Sequence, residues 1–275
     1  MNNTNFLFWL ILIPLIASPI VYIVGRLETR SNKLPKIARW LAIIALAAAY
    51  IPLFLASKSV LSGEAIIYQM NAISMELDGI ALLFSAVVIT LCLLVIIFST
   101  SYMSGEDNEE KFYALLLAMS GAMIGLVCAK DLFNLWVWFE AMAVTSYMLV
   151  SFYRKQPAAL EAGVKYLVQS ASGSVLVVIG IALVFMTAGT LDMSQIAGKG
   201  SPEMMALAGA FFIVGFGVKS ALVPLHTWLP DAHSQAPSGI SAMLSGVVIE
   251  AGLIALLRSL SITWLANIPW GVIIM

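Results

Sequence analysis

Two ionisable side chains of opposite sign lie inside long apolar runs: Glu140 in DLFNLWVWFEAMAVTSYMLVSFY and Lys219 in MALAGAFFIVGFGVKSALVPLHTWL. An ionised group at bilayer depth costs about 2.5–3.5 kcal/mol on insertion scales. A chain that needed only an anchor would not carry one of each sign. Such residues face a bundle interior or a wet cavity and mark ion or proton routes. A glutamate exposed both to burial and to a movable lysine can be switched between charged and neutral by the position of that lysine. A proton or cation gate requires that property, so transport of a small cation is the first hypothesis. The bland readings are a neutral glutamate bonded to a backbone carbonyl and a lysine that snorkels to the interface.

Four further groups belong to the same constellation. Lys165 opens KYLVQSASGSVLVVIG at a shallower depth, where snorkelling competes more strongly. The small residues Ser170 to Ser174 in that run permit close helix packing. Glu250, in AMLSGVVIEAGLIALLR, is again mid-run, with Ser241, Ser245 or a facing group as its alternative partners. His226 and His233 flank the turn PLHTWLPDAHSQAP. Each can relay a proton, because an unperturbed histidine titrates near 6.5, or can simply be hydrogen-bonded in a turn. Pro224 lies five residues after Lys219 and, as a missing donor crowding the Ser220 carbonyl, predicts a break in that span.

The elements that must hold these groups are membrane helices. The chain is 61% hydrophobic and 11% charged, with net charge −1 and mean hydropathy +0.98. Soluble domains run near 25% charged, so a soluble enzyme is excluded, and nothing in the charge balance suggests nucleic acid. Runs of about 20 apolar residues span the hydrocarbon core. Eight are found, at 6–25, 38–56, 79–100, 112–129, 132–153, 164–188, 205–229 and 238–258, with a short ninth run at 262–275. Phe6 to Gly25 is longer than a signal-peptide core, lacks a basic leader and is read as a retained helix. The 57–78 loop contains AIIYQMNAISMEL, whose alternation predicts a short hairpin acting as an ordered lid. No linker divides the chain, which reads as one all-α polytopic membrane domain. Its parts are 1–111 with the N-terminal helices and lid, 112–258 with the charged helices, and a 259–275 stub. Loop lysines and arginines number eight on one side (Arg26, Arg30, Lys33, Lys36, Arg39, Lys111, Arg154, Lys155) and four on the other (Lys58, Lys130, Lys199, Arg258), which predicts the N-terminus outside. Cys92 and Cys128 sit in apolar runs and read as small buried hydrophobes. There is no catalytic triad, phosphate loop, metal cluster or iron–sulfur cysteine set, so no cofactor is expected on this chain.

At PLHTWLPDAHSQAPSGISAMLSG, following its mid-helix lysine, the sequence resembles the antiporter-like membrane subunits shared by respiratory complex I, Mrp-type sodium/proton antiporters and membrane-bound hydrogenase-type complexes. LFNLWVWFEAM is a second match and KYLVQSASGSVLVVIG a weaker third; together they cover roughly 75–258. The resemblance implies inverted five-helix repeats with a charged axis at the midplane, in a cell (inner or cytoplasmic) membrane. It implies that Glu140 is the essential glutamate of the fifth helix and Lys219 the lysine of a discontinuous seventh helix. Lys165 then matches the sixth-helix lysine, and His226 and His233 match the histidines that follow. Glu250 departs from the pattern, since a lysine or histidine is common there. Full-length members carry about fourteen helices, so the chain matches only the first inverted repeat. A neighbouring membrane subunit is therefore expected against the eighth helix.

Three functions remain open. One is a proton- or sodium-translocating subunit of a multisubunit redox complex, hydrogenase- or quinone-reductase-like, or of an Mrp-type antiporter. The second is a structural subunit with a degenerate half-channel that docks its neighbours. The third, a self-sufficient transporter, is disfavoured by the missing partner repeat. Redox chemistry would reside on partner subunits.

Overall fold

The computed structural model describes residues 4–31, 37–70, 73–196 and 198–262. Eight helices are long and apolar enough to cross a membrane. In chain order the elements are α1 (Thr4–Ser31), α2 (Ile37–Leu61), the strands β1 (Ile66–Met70) and β2 (Ile73–Leu77), α3 (Gly79–Tyr102), α4 (Glu109–Cys128), α5 (Leu132–Val150) and α6 (Pro157–Ala188). They continue with the short α7 (Met193–Ile196), α8 (Pro202–Lys219), α9 (Leu229–Gln235), α10 (Ser238–Met243), a π-helical turn over Leu244–Val248, and α11 (Ile249–Ile262). The fold is thus an all-α polytopic bundle carrying one small hairpin. The predicted spans agree with these helices except at two places. The seventh span stops at Lys219 instead of 229, and the eighth contains the π turn. The 262–275 run lies, apart from its first residue, outside the described residues.

Three of the helices, α3, α5 and α8, start at a side chain that caps them. Free N–H groups at a helix start need acceptors, and Asp78 supplies one to Ala81 at 2.7 Å, Asp131 to Asn134 at 2.7 Å and Ser201 to Met204 at 3.3 Å. α4 is buried over 83% of its membrane window and forms the spine of the bundle. α1, α2, α3 and α5 all pack against it. α6 lies along α8, and there the backbones touch. A Cβ on Gly173 would sit 2.8 Å from Gly215 O, and one on Gly215 2.7 Å from Gly173 O. The small-residue stretch read in the sequence serves this approach.

The predicted hairpin is present, with β1 and β2 antiparallel in the register Ile66↔Leu77 to Met70↔Ile73. It is pinned to the start of α5. Lys130 N donates to Ser74 O at 3.0 Å, and Ser74 N donates to Asp131 Oδ2 at 3.1 Å. The 190–193 segment closes the other side, through Leu132 N to Leu191 O and Met193 N to Lys130 O, both 3.0 Å. Asp131 is 5% exposed, and burial pushes its carboxyl above the usual range while the two backbone donors work against that shift. Across the same face, Arg258 near the end of α11 grips both oxygens of Asp78 at 3.0 and 2.9 Å. The hairpin, α3, α5 and α11 are thereby joined on one side of the bundle.

Candidate functional site

α8 ends at Lys219 in a Schellman stop. Ala221 takes the left-handed conformation (φ 52°), Leu222 N reaches back to Gly217 O at 2.9 Å, and Ala221 N reaches Val218 O at 3.2 Å. Ser220 N and Ser220 Oγ both donate to Phe216 O, at 2.9 and 3.0 Å. The indole of Trp228, from beyond the break, donates to Val218 O at 2.8 Å. The discontinuity expected in the seventh helix is therefore present, but its cause differs from the sequence argument. The helix has already stopped when Pro224 arrives, so the proline crowds no helical carbonyl. A charged lysine in the last turn is favoured by the helix dipole.

Lys219 is fully buried, at 0% exposure. Its ammonium nitrogen donates to Ser146 Oγ on α5 at 2.9 Å and contacts Tyr166 OH on α6. It also lies 4.7 Å from the centroid of the Tyr166 ring, a cation–π contact. Tyr166 OH and Ser146 Oγ are 3.0 Å apart, and Ser146 donates to Ala143 O at 2.8 Å. Trp228 stacks on Tyr166 with centroids 3.9 Å apart and planes 5° from parallel. The buried cation thus sits in a cage of two neutral hydroxyls roofed by an aromatic pair. The snorkelling alternative does not hold for Lys219.

The direct Glu140–Lys219 ion pair expected from matching depth is absent among the described residues. Ser146, which holds the ammonium, lies six residues beyond Glu140 on α5, about 9 Å further along the helix axis. Helical side chains also lean toward the N-terminus, away from Ser146. Glu140 is half-buried, and its Oε1 is enclosed without a hydrogen-bond partner. It remains close enough for its field to reach Lys219 and Tyr147.

The other expected residues fall outside this cage. Lys165 is half-exposed and pairs with Glu161 at 2.8 Å and Asp231 at 2.9 Å. It edges an open groove of about 760 Å³ between α6, α8 and the segment after the break. One turn further on, Gln169 Nε2 donates to Leu225 O at 2.7 Å, and Thr227 Oγ1 donates to Gln169 Oε1 at 3.0 Å. The polar face of α6 therefore clamps residues 225–231. His226 is half-buried, with its Nδ1 enclosed and unpartnered. His233 Nδ1 bonds Ser241 Oγ at 2.7 Å and ties α9 to α10. Glu250 is exposed on α11. It lies on the outward-facing side of the helix. Cys92 and Cys128 are both fully buried.

Ser146, Tyr166, Gln169, Trp228 and Asp231 form the immediate surroundings of the two lysines. They were not singled out as site residues in the sequence. The available signal was weak: polar or amphipathic side chains in apolar runs, Tyr166 directly beside Lys165 and Trp228 two residues after His226.

Residues 129–275 match the model described as NADH:quinone oxidoreductase/Mrp antiporter, TM, and residues 70–113 match that of NADH-ubiquinone oxidoreductase (complex I), chain 5 N-terminus. The chain is 34% identical over 185 residues to NADH-quinone oxidoreductase subunit N of Desulfitobacterium hafniense, covering 66% of this chain and 37% of that one. It is 30% identical over 209 residues to Na(+)/H(+) antiporter subunit A1 of Staphylococcus haemolyticus, covering 72% and 26% respectively. A chain of the membrane-bound sulfane sulfur reductase, an archaeal respiratory membrane complex, superposes with TM-score 0.87 at 27% identity, over 97% of this chain and 55% of that one. The chain thus spans well under half the length of these two curated relatives. With more than half of its residues inside the first of the two models, the chain belongs to the NADH:quinone oxidoreductase/Mrp antiporter transmembrane family.

Proposed function

We propose that this chain is an antiporter-like subunit that moves protons or sodium ions within a multisubunit membrane complex related to respiratory complex I. The observation that carries this reading is the fully buried Lys219 at the end of a helix broken inside the bundle. An ammonium sequestered among neutral groups is costly, and it persists where the cost serves a charge-moving step. Broken helices supply ion sites in transporters for the same reason. Glu140 is the carboxylate that would exchange with it. A lysine side chain that swings along α5 would bring the two together and separate them again. His226, at the break, and Lys165, at the groove, would lie on the approach from one side, with His233 fixing the turn. The lysine and arginine count supports an orientation with the N-terminus outside, and the resemblance to the family supports a cytoplasmic or inner membrane.

The test uses inverted membrane vesicles that contain the whole complex. Glu140→Gln and Lys219→Met keep size but cannot titrate. Each is expected to lower ion pumping at least tenfold while the complex still assembles. Near-normal pumping by both variants refutes the translocation reading. A docking role is the second reading, and exposed Glu250 favours it as a contact for a cationic residue of a neighbouring subunit. Loss of assembly with Glu250→Ala, alongside normal pumping by Glu140→Gln, would make docking the main role.

A further inference from the structure

We propose that Tyr166, together with Ser146, is the seat that holds Lys219 in both of its charge states, before and after it exchanges a proton. This rests on the translocation reading above and assigns a part in it to two residues that were not singled out as site residues in the sequence. The argument is the hydrogen-bond inventory of the cage. An ammonium has three donors and no acceptor, whereas a phenol both donates and accepts. With Lys219 charged, Nζ donates to Tyr166 OH and Ser146 Oγ, and the phenol hydrogen points to Ser146 Oγ, 3.0 Å away. With Lys219 neutral, the phenol hydrogen turns to the amine lone pair, and Nζ still donates to Ser146. Ser146 keeps its own hydrogen on Ala143 O in both states. One rotation about the phenol C–O bond therefore gives both forms two hydrogen bonds in the seat without moving a heavy atom. A carboxylate seat accepts only, so it would hold the ammonium and reject the amine.

The proton balance is simple. The lysine side chain leaves the seat and swings along α5 to Glu140, the ammonium gives one proton to the carboxylate, which leaves a neutral amine and a carboxylic acid, and the amine returns to the seat; no other bond changes. The phenol stays in place because Trp228 covers one face and the Tyr147 ring meets it edge-on at 6.4 Å. The titratable groups that face Lys219 are Tyr166 on α6, in contact with it, and Glu140 on α5, with Tyr147 against the Tyr166 ring; His226 follows in the segment after the break. Lys165 lies beyond them, paired with both Glu161 and Asp231, and Glu250 on α11 is exposed.

The experiment measures ion pumping against pH in vesicles that contain the whole complex, for Tyr166→Phe, Ser146→Ala and Lys219→Met. Phenylalanine keeps the ring and its stack on Trp228 but removes the rotor. Charge-assisted bonds outweigh neutral ones, so its loss favours the uncharged amine. The pH profile should move toward acid by about one unit or more, the equivalent of one charge-assisted bond. Pumping at neutral pH should fall at least tenfold. Ser146→Ala should move the profile the same way by less. Normal pumping by Lys219→Met sinks the translocation reading itself. An inactive Lys219→Met beside a Tyr166→Phe of unchanged rate and pH profile sinks only the seat. If Tyr166→Phe does not assemble, an unchanged profile in Ser146→Ala overturns the proposal.

Discussion

Gly252 on α11 is where the bundle leans directly on the end of α8, and its replacement by alanine has a calculable result. A Cβ there would lie 2.9 Å from Ser220 Oγ, 3.1 Å from Ser220 N and 3.2 Å from Lys219 Cβ. Comfortable carbon contacts begin near 3.5 Å, so the helices must part by about 0.5 Å. Rotating Ser220 does not solve this, because its N–H and Lys219 Cβ are also too near and its hydroxyl is held by Phe216 O. Overpacking of this kind costs about 1–3 kcal/mol. Alanine recovers about 1 kcal/mol of helix propensity. The net effect is a destabilisation of about 0–2 kcal/mol. The functional effect should be larger, because the displaced residue carries the caged ammonium. A 1 Å misplacement of a reacting group can cost about a hundredfold, so half of that distance predicts about a tenfold loss of pumping. The assay pairs thermal melting of the purified complex with vesicle pumping. Gly246→Ala is the control, since a Cβ there meets only Leu91 Cδ1 at 3.7 Å; it should leave pumping unchanged and the melting temperature unchanged or higher. A Gly252→Ala complex with full pumping and an unchanged or higher melting temperature would refute the claim that α11 sets the position of Lys219.

Two predictions concern the frame around the site. Ala221 occupies the left-handed position of the Schellman stop, which costs a non-glycine residue about 1 kcal/mol. Ala221→Gly should therefore raise the melting temperature slightly, whereas Ala221→Val should lower it; the reverse order would mean that the alanine methyl is held by packing. Asp131→Asn replaces one of the two carboxylate oxygens that accept from Ser74 N of the hairpin and Asn134 N of α5, and sets an amide donor against a backbone donor. It should cost about 1–3 kcal/mol and speed hydrogen exchange at residues 73–77 and 132–134, and unchanged exchange there would show that the clamp contributes nothing.

The spans, the hairpin and the two chemically distinctive residues were legible in the sequence, because hydropathy and alternation are local properties that backbone hydrogen bonding in an apolar medium must obey. The break was legible in place but not in cause: Pro224 was visible as a helix breaker, while the stop at Lys219 is made by Ala221 and Leu222 folding back on Gly217 and Val218. The π turn over Leu244–Val248 left no readable signature beyond Gly246. Depth along the chain suggested that Glu140 and Lys219 would meet. Which hydroxyl, ring or carboxylate a buried ammonium reaches depends on the relative height and rotation of α5, α6 and α8. Those are set by contacts such as Gly173 on Gly215 and Trp228 on Tyr166, between residues far apart in sequence. The packing of α6 likewise left Lys165 among carboxylates at the groove, and that of α11 put Glu250 on its outward side. The sequence by itself determined that charges would be carried into the membrane, because their residue types and apolar surroundings are local facts. Only the tertiary structure decided their partners, because hydrogen bonds are made over about 3 Å and no one-dimensional pattern fixes interhelical distances that finely.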